Sequence, residues 1–423
     1  MVEPERTEFV RTAAAVNNGG PERIPAWVRQ ASSSRWGEEM LSREGCIIRT
    51  NRWLEWCRAN RVDLTVVMDA KNIYYLTGLL RQSYGWLIAR VSQLACFTDG
   101  HSILLCSESE RRLLDHATVE EAVTYQDYNI QTTTQTYLEH ALVPLQHALR
   151  RHKTVVERVA IEKRYMPVAV LELLQGLYPK AEFLDISETM LRFRRRKDAD
   201  EVTLLRKTAA ITGVCYARAA EVIAAGKTEV DIYAACNETY AKTVGSYVTF
   251  SGDFVSGENA LKTGGPPTDR ILQRGESMIL DLWIDPAGYW IDNARSFVVG
   301  NHPSPELNGI YDLVITALEA GERLLRPGTR GKDVYYEVKR VFTAAGYGEY
   351  FPLHAGHGLG LSPHEAPLLI PGSDDVLEEG MVCTLEPGLY VPGIGGVRCE
   401  DNYVVRSAGP ERLTMFPRKM NWD

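Results

Sequence analysis

The stretch Met278-Ile279-Leu280-Asp281-Leu282-Trp283-Ile284-Asp285-Pro286-Ala287-Gly288-Tyr289-Trp290-Ile291-Asp292-Asn293-Ala294-Arg295 places charge where a strand should have none. Residues 278–284 read as an apolar strand, so Asp281 must meet a cation or give up its charge. Asp285-Pro286-Ala287-Gly288 is turn chemistry, which predicts a hairpin returning Asp292 toward Asp281. Two carboxylates at close range repel, and a divalent cation between them resolves the conflict. The pair alone allows an equally good alternative, with one aspartate salt-bridged to Arg295 and the other serving the turn.

Downstream residues tip the balance. His357 lies in His354-Ala355-Gly356-His357-Gly358-Leu359-Gly360-Leu361-Ser362-Pro363-His364-Glu365-Ala366-Pro367, where flanking glycines let the backbone approach closely. Glu386 falls in Thr384-Leu385-Glu386-Pro387-Gly388-Leu389-Tyr390, a strand ending at a turn. Glu400 falls in Gly395-Gly396-Val397-Arg398-Cys399-Glu400-Asp401-Asn402-Tyr403. Four carboxylates and one imidazole form a hard, oxygen-rich donor set, suited to paired Mn²⁺, Co²⁺ or Zn²⁺ and not to a structural thiolate zinc site.

Outward from this constellation, the chain divides by pattern. Residues 1–40 mix Pro, Gly, Ser and charge without periodicity and read as an N-terminal extension. A helix is expected near 41–60, then a buried strand Leu64-Thr65-Val66-Val67-Met68, with Asp69-Ala70-Lys71-Asn72 as a turn and Ile73–Gly78 leading out of it. Further strands near 86–97 and 102–106 and helices near 133–151 and 167–177 define a small α/β domain, 41–185. Residues 186–197 include Arg192-Phe193-Arg194-Arg195-Arg196-Lys197, read as a solvated basic linker or helix entrance. The second domain, 198–423, opens with Asp198 and Glu201 as a capping pair for a helix to about 225. Thr228 and Asp231 repeat that logic for a helix to about 242. Strands at 247–255, 277–284, 289–299, 381–390 and 396–406, with helices near 306–325 and 332–345, make it α+β on a largely antiparallel sheet. The helix-then-strand order occurs twice, as a pseudo-duplicated fold would show.

These segments resemble the M24 metallopeptidases of the creatinase, or pita-bread, fold, particularly their Xaa-Pro aminopeptidase and Xaa-Pro dipeptidase branch. Asp69-Ala-Lys-Asn-Ile-Tyr-Tyr-Leu-Thr-Gly78 is similar to the N-terminal domain signature of that family. GHGLGL at 356–361, HEAP at 364–367, LEPGLY at 385–390 and GGVRCED at 395–401 resemble its catalytic segments. The resemblance spans about 65–110 and all of 190–410. It implies a pita-bread catalytic domain behind a smaller α/β creatinase-type domain, and two divalent metal ions, with Mn²⁺ first among Mn²⁺, Co²⁺, Zn²⁺ and Fe²⁺. Asp281 would bind one metal, Asp292 and Glu400 would bridge both, and His357 and Glu386 would bind the other. A bridging hydroxide would be the nucleophile, because two cations lower the pKa of water. Glu386 would shuttle the proton, His364 would hydrogen-bond the substrate carbonyl or oxyanion, and Arg398 would orient carboxylates.

Two departures bear on the substrate. Peptidases of this branch carry a histidine in the loop before the first metal aspartate, whereas Ser256-Gly257-Glu258-Asn259-Ala260-Leu261-Lys262-Thr263-Gly264-Gly265-Pro266-Pro267-Thr268-Asp269-Arg270 has none. His354 stands three residues before His357 where the family has a histidine four before; it remains a candidate catalytic residue. The leading expectation is hydrolysis of an Xaa-Pro bond; the alternative is a small non-peptide substrate acted on by an amide or amidine hydrolase or a lyase. A non-catalytic binding protein is the third reading, opposed by the complete ligand set.

Composition narrows the partners. With 47 Lys and Arg against 55 Asp and Glu, the formal net charge is −8, which disfavours nucleic acid and anionic membranes. No apolar run approaches the ~20 residues that span a bilayer, and residues 1–16 lack the apolar core of a secretion signal. Eight scattered cysteines without a CxxC read as reduced, buried thiols of a cytoplasmic protein. A homodimer acting on a small peptide or small molecule completes the expectation.

Overall fold

The structure, a computed structural model, describes residues 40–80, 92–126, 137–246 and 248–422. The expected extension therefore lies outside the described residues except for its last position, as does the first half of the strand expected at 86–97.

The N-terminal part is built on one mixed sheet. Helix α1 (Arg43–Ala59) starts at Ser42, whose side chain accepts from the Gly45 N–H, and leads to strand β1 (Leu64–Val67), buried along its whole length. The expected turn at 69–72 is instead the start of a helix, α2 (Ala70–Thr77). Asp69 is its N-cap, its carboxylate accepting from the Lys71 N–H, and Gly78 closes it. Asp and Asn favour turns and helix starts by the same side-chain-to-backbone bond, which is why the sequence misled here. Strands β2 (Gln93–Phe97), β3 (Ser102–Ser107) and β4 (Glu121–Tyr125), helix α3 (Tyr137–Arg151), strand β5 (Arg158–Ile161), helix α4 (Val168–Leu177) and strand β6 (Glu182–Asp185) follow. The sheet order is β4-β3-β2-β1-β5-β6, with β1 antiparallel to β2 and parallel to β5.

The basic stretch is not simply a solvated linker. Helix α5 (Ser187–Arg194) occupies most of it, and Arg194 and Lys197 are buried. Arg194 Nη2 reaches Glu365 Oε2 at 3.0 Å and Lys197 Nζ reaches Glu365 Oε1 at 2.7 Å. Arg194 Nη1 also donates to Asn72 Oδ1 at 2.9 Å, so the N-terminal part grips the segment that follows His364. A charged side chain is buried when a buried partner of opposite charge exists, and a local charge run cannot reveal a partner 171 residues away.

The C-terminal part repeats one motif. Helix α6 (Ala199–Val222) carries the expected capping box of Asp198 and Glu201, and α7 (Glu229–Val244) that of Thr228 and Asp231. They cover the antiparallel strands β7 (Ser251–Ser256), β8 (Ser277–Ile284) and β9 (Ile291–Val298) through a core of Ile211, Tyr216, Ile232, Tyr240, Phe254, Leu280 and Phe297. Helices α8 (Pro305–Glu322) and α9 (Gly331–Ala344) do the same for a second set: β10 (Gly356–Gly358), β11 (Glu365–Leu369), β12 (Val382–Leu385), β13 (Gly388–Val391), β14 (Gly395–Arg398), β15 (Asp401–Val404) and β16 (Glu411–Arg412). Five of these strands form the sheet β11-β10-β12-β15-β16, and β13 pairs with β14 alone. The strands expected at 381–390 and 396–406 are each split, at Glu386-Pro387 and at Cys399-Glu400. Proline cannot donate to the ladder, and both breaks hold a carboxylate of the candidate site.

Candidate metal centre

The hairpin at 285–288 forms as the sequence predicts. Gly288 adopts φ +76° beneath Leu80 and Tyr74, where a Cβ would collide with both side chains. Strands β8 and β9 pair so that Asp281 faces Ala294 and Asp292 faces Trp283. Asp281 and Asp292 are therefore diagonal neighbours on one face of the hairpin. Glu386 and Glu400 arrive from the second sheet. Leu385 pairs with Asp401 and Gly388 with Arg398, so the same register carried through the break sets 386 opposite 400. The Glu400 N–H donates to the Ala294 carbonyl at 3.0 Å, which stitches that break onto β9. Arg295 takes no part with Asp281 or Asp292: it pairs with Asp401 at 2.6 Å and donates to the Glu400 carbonyl. A salt bridge from Arg295 to the aspartate pair is thereby removed; the arginine that meets Asp281 is Arg398.

His357 sits on β10. Its Nδ1 meets the Gly358 carbonyl at 3.0 Å, which makes Nδ1 the protonated nitrogen and leaves the Nε2 lone pair pointing inward. That Nε2 lies 3.3 Å from Glu386 Oε1 and 3.5 Å from Asp292 Oδ2. A lone pair facing two carboxylates is repulsive unless a proton or a cation lies between them. Thr384 Oγ1 accepts the His357 N–H at 3.1 Å and donates to Glu386 Oε1 at 2.9 Å, fixing both ligand candidates from behind.

Three groups of donor atoms converge, each within 4.8 Å: Asp281, Asp292 and Glu400; His354, His357 and Glu386; and Asp292, His357 and His364. Asp292 and His357 are shared between groups. Asp281 Oδ1, Asp292 Oδ1 and both oxygens of Glu400 are buried with no hydrogen-bond partner in the protein. Burying such oxygens unpaired costs several kcal/mol each, about 1–3 or more. The chemistry of the set thus fits divalent cations: hard oxygen donors with unused lone pairs, and one imidazole held by its second nitrogen.

The electrostatics say the same. Burial, and then the negative charge of Glu386, push Asp292 up to about 8. Burial and the neighbouring carboxylates raise Asp281 and Glu400 far above the ordinary range, although Arg398 pulls both down. Glu386 goes the other way. Burial alone would raise it, but the hydrogen bond and charge of His354, with His357 and Arg398, hold it at about 2. His354 Nε2 lies 3.1 Å from Glu386 Oε1, so it does face the cluster despite its shifted spacing. His364 stacks on His357 with ring centroids 3.6 Å apart and keeps more than half of its side chain exposed. Its partial burial and then the His357 ring lower it to about 4, so it is a neutral imidazole at physiological pH.

Arg398 is buried, with Nη2 at 2.7 Å from Asp281 Oδ2 and equally 2.7 Å from Asp253 Oδ2. Sequence reasoning missed Asp253. Its signal was the one used for Asp281, a carboxylate in an apolar strand: Phe250-Ser251-Gly252-Asp253-Phe254-Val255. Thr384 was missed too, and a threonine in a strand gives no signal of its own.

A two-part α+β chain whose C-terminal half gathers these acids and histidines is a metallohydrolase. The model of metallopeptidase family M24 matches residues 203–407, and that of the creatinase/prolidase N-terminal domain matches residues 49–195. The chain belongs to the M24 metallopeptidase family, with its pita-bread catalytic half behind a creatinase-type N-terminal half. The Bacillus subtilis protein named "Putative dipeptidase YkvY" is 29% identical over 373 residues, covering 88% of this chain and 99% of that one. A dipeptidase structure from Pyrococcus horikoshii is 28% identical with a TM-score of 0.74, covering 88% of this chain and 99% of that one. A prolidase structure from Thermococcus sibiricus is 27% identical with the same TM-score of 0.74, covering 88% and 97%. No described helix is long and apolar enough to cross a membrane.

Proposed function

We propose that this protein hydrolyses Xaa-Pro peptide bonds with two divalent cations held by Asp281, Asp292, His357, Glu386 and Glu400. The observation that carries the proposal is the convergence of overlapping donor groups around shared Asp292 and His357, with orphaned buried carboxylate oxygens. The likeness to a prolidase and to a dipeptidase supports the substrate class. Cations held there would supply Lewis acidity toward a scissile carbonyl and a water. Glu386, held ionised by His354, takes up the proton that the water loses. His364 remains neutral and exposed at the mouth, and donates an N–H to the carbonyl oxygen as charge develops there. Arg398 fixes the Asp281 carboxylate. Mn²⁺ as the working metal and a homodimer as the working assembly belong to the same proposal.

The test is a substrate assay on metal-stripped protein reloaded with Mn²⁺, Co²⁺ or Zn²⁺, offered Xaa-Pro dipeptides, longer Xaa-Pro peptides and matched peptides lacking proline. Metal-dependent cleavage before proline alone is expected, and the length preference separates dipeptidase from aminopeptidase. A second reading, a small non-peptide substrate, is favoured by one feature: Gly264 and Gly265 present no side chain beside Asp253 and Arg398. No peptide cleavage by protein shown to hold two metals would select it.

A further inference from the structure

Asp253 is a buried carboxylate that the mechanism above does not use. It stands directly across from Asp281 in the β7–β8 register. One guanidinium nitrogen, Arg398 Nη2, serves both, at 2.7 Å each. The other oxygen, Asp253 Oδ1, accepts the Gly265 N–H at 2.9 Å. Arg398 Nη1 donates to the Thr263 carbonyl at 2.6 Å and to Tyr390 Oη at 3.1 Å. A Cβ at Gly264 would fall inside the van der Waals surface of the Asp253 carboxylate. The histidine-free loop thus lies as bare backbone over the Asp253–Arg398 pair, and the carboxylate fills the space that a side chain at 264 would need.

We infer that Asp253 is a positioning residue that sets the cation affinity of the Asp281 side of the centre. Two carboxylates sharing one guanidinium leave the trio with one net negative charge. Asp281 is then oriented by Arg398 yet only part-neutralised, and its Oδ1, which no protein group pairs, is left to face a cation. Without the Asp253 charge, Arg398 would balance Asp281 fully, and a cation there would lose one nearby negative charge in a site that screens poorly. The inference rests on the ligand assignment proposed above, and its test separates the two.

The experiment measures Mn²⁺ and Co²⁺ binding to the stripped full-length protein by calorimetric titration, with bound metal counted by elemental analysis. Wild type, Asp253→Asn and Gly264→Ala are compared. Asp253→Asn removes the charge and keeps the shape. Gly264→Ala keeps every charge and pushes the Asp253 carboxylate away from Arg398, so it serves if the first variant fails to fold. Wild type should bind two cations. Each variant should hold one at near wild-type affinity and the other about tenfold or more weakly, the range typical of groups that orient metal ligands. Wild type holding two cations while both folded variants hold them at unchanged affinity would overturn this inference alone. Wild type holding fewer than two would overturn the ligand assignment, and the role of Asp253 with it.

Discussion

Replacing Asp292 with Asn should make the metal-free protein more stable and the metal-loaded protein less so. Asp292 is pushed from 3.8 to about 8 by burial and by Glu386. A carboxyl with a folded pKa above its unfolded one binds more protons when folded, across the interval between the two. Stability therefore falls as pH rises from about 4 toward 8, and the loss is complete above the folded value. At ~1.4 kcal/mol per unit, a shift of about four units corresponds to roughly 6 kcal/mol. That is a ceiling, because Asp281 and Glu400 share the protons and water can relieve part of the charge. About 2 kcal/mol is the expected gain for the stripped Asp292→Asn protein at pH 8, and little at pH 4–5, where Asp292 holds its proton. For the C-terminal half unfolding as a cooperative unit of ~150–250 residues, that is a rise of ~4–8 °C in Tm. The amide keeps the volume of the acid and surrenders its charge, so cations should bind the variant poorly and raise its Tm much less than that of wild type. The assay is thermal unfolding of stripped and reloaded protein at pH 5 and pH 8. A stripped variant less stable than stripped wild type at pH 8, or equal stabilisation of both by Mn²⁺, would refute the reasoning.

Two further outcomes follow from the same geometry. His364→Ala should lower kcat by about a hundredfold while elemental analysis still finds wild-type metal content, because His364 is half outside the cluster; loss of metal would mean that it is a ligand. Arg194→Met should cost ~1–3 kcal/mol in denaturant unfolding, because it leaves Asn72 Oδ1 and Glu365 Oε2 without their buried donor while Lys197 still neutralises Glu365; the absence of a measurable change would show that these bonds are dispensable.

What could be read from the chain was whatever depends on local pattern. Helix caps at Asp198 and Thr228, the hairpin at 285–288, and the acids and histidines of the site are each announced by neighbours within a few residues. An acid inside an apolar strand is legible because its burial is costly wherever the strand goes. The turn at 69–72 was misread because capping and turning use the same side-chain bond, and only a following helix tells them apart.

The remainder was decided by contacts between distant segments. No pattern near Arg194 tells that it is buried against Glu365, nor does Arg295 reveal that it serves Asp401 and the Glu400 carbonyl and leaves the aspartate pair free. Asp253 gained its place from a strand register and from an arginine 145 residues away. Residue type fixes which charges must be met. Which partner meets each one is a matter of tertiary distance, because electrostatic and hydrogen-bond energies fall away within a few ångströms and are indifferent to separation along the chain.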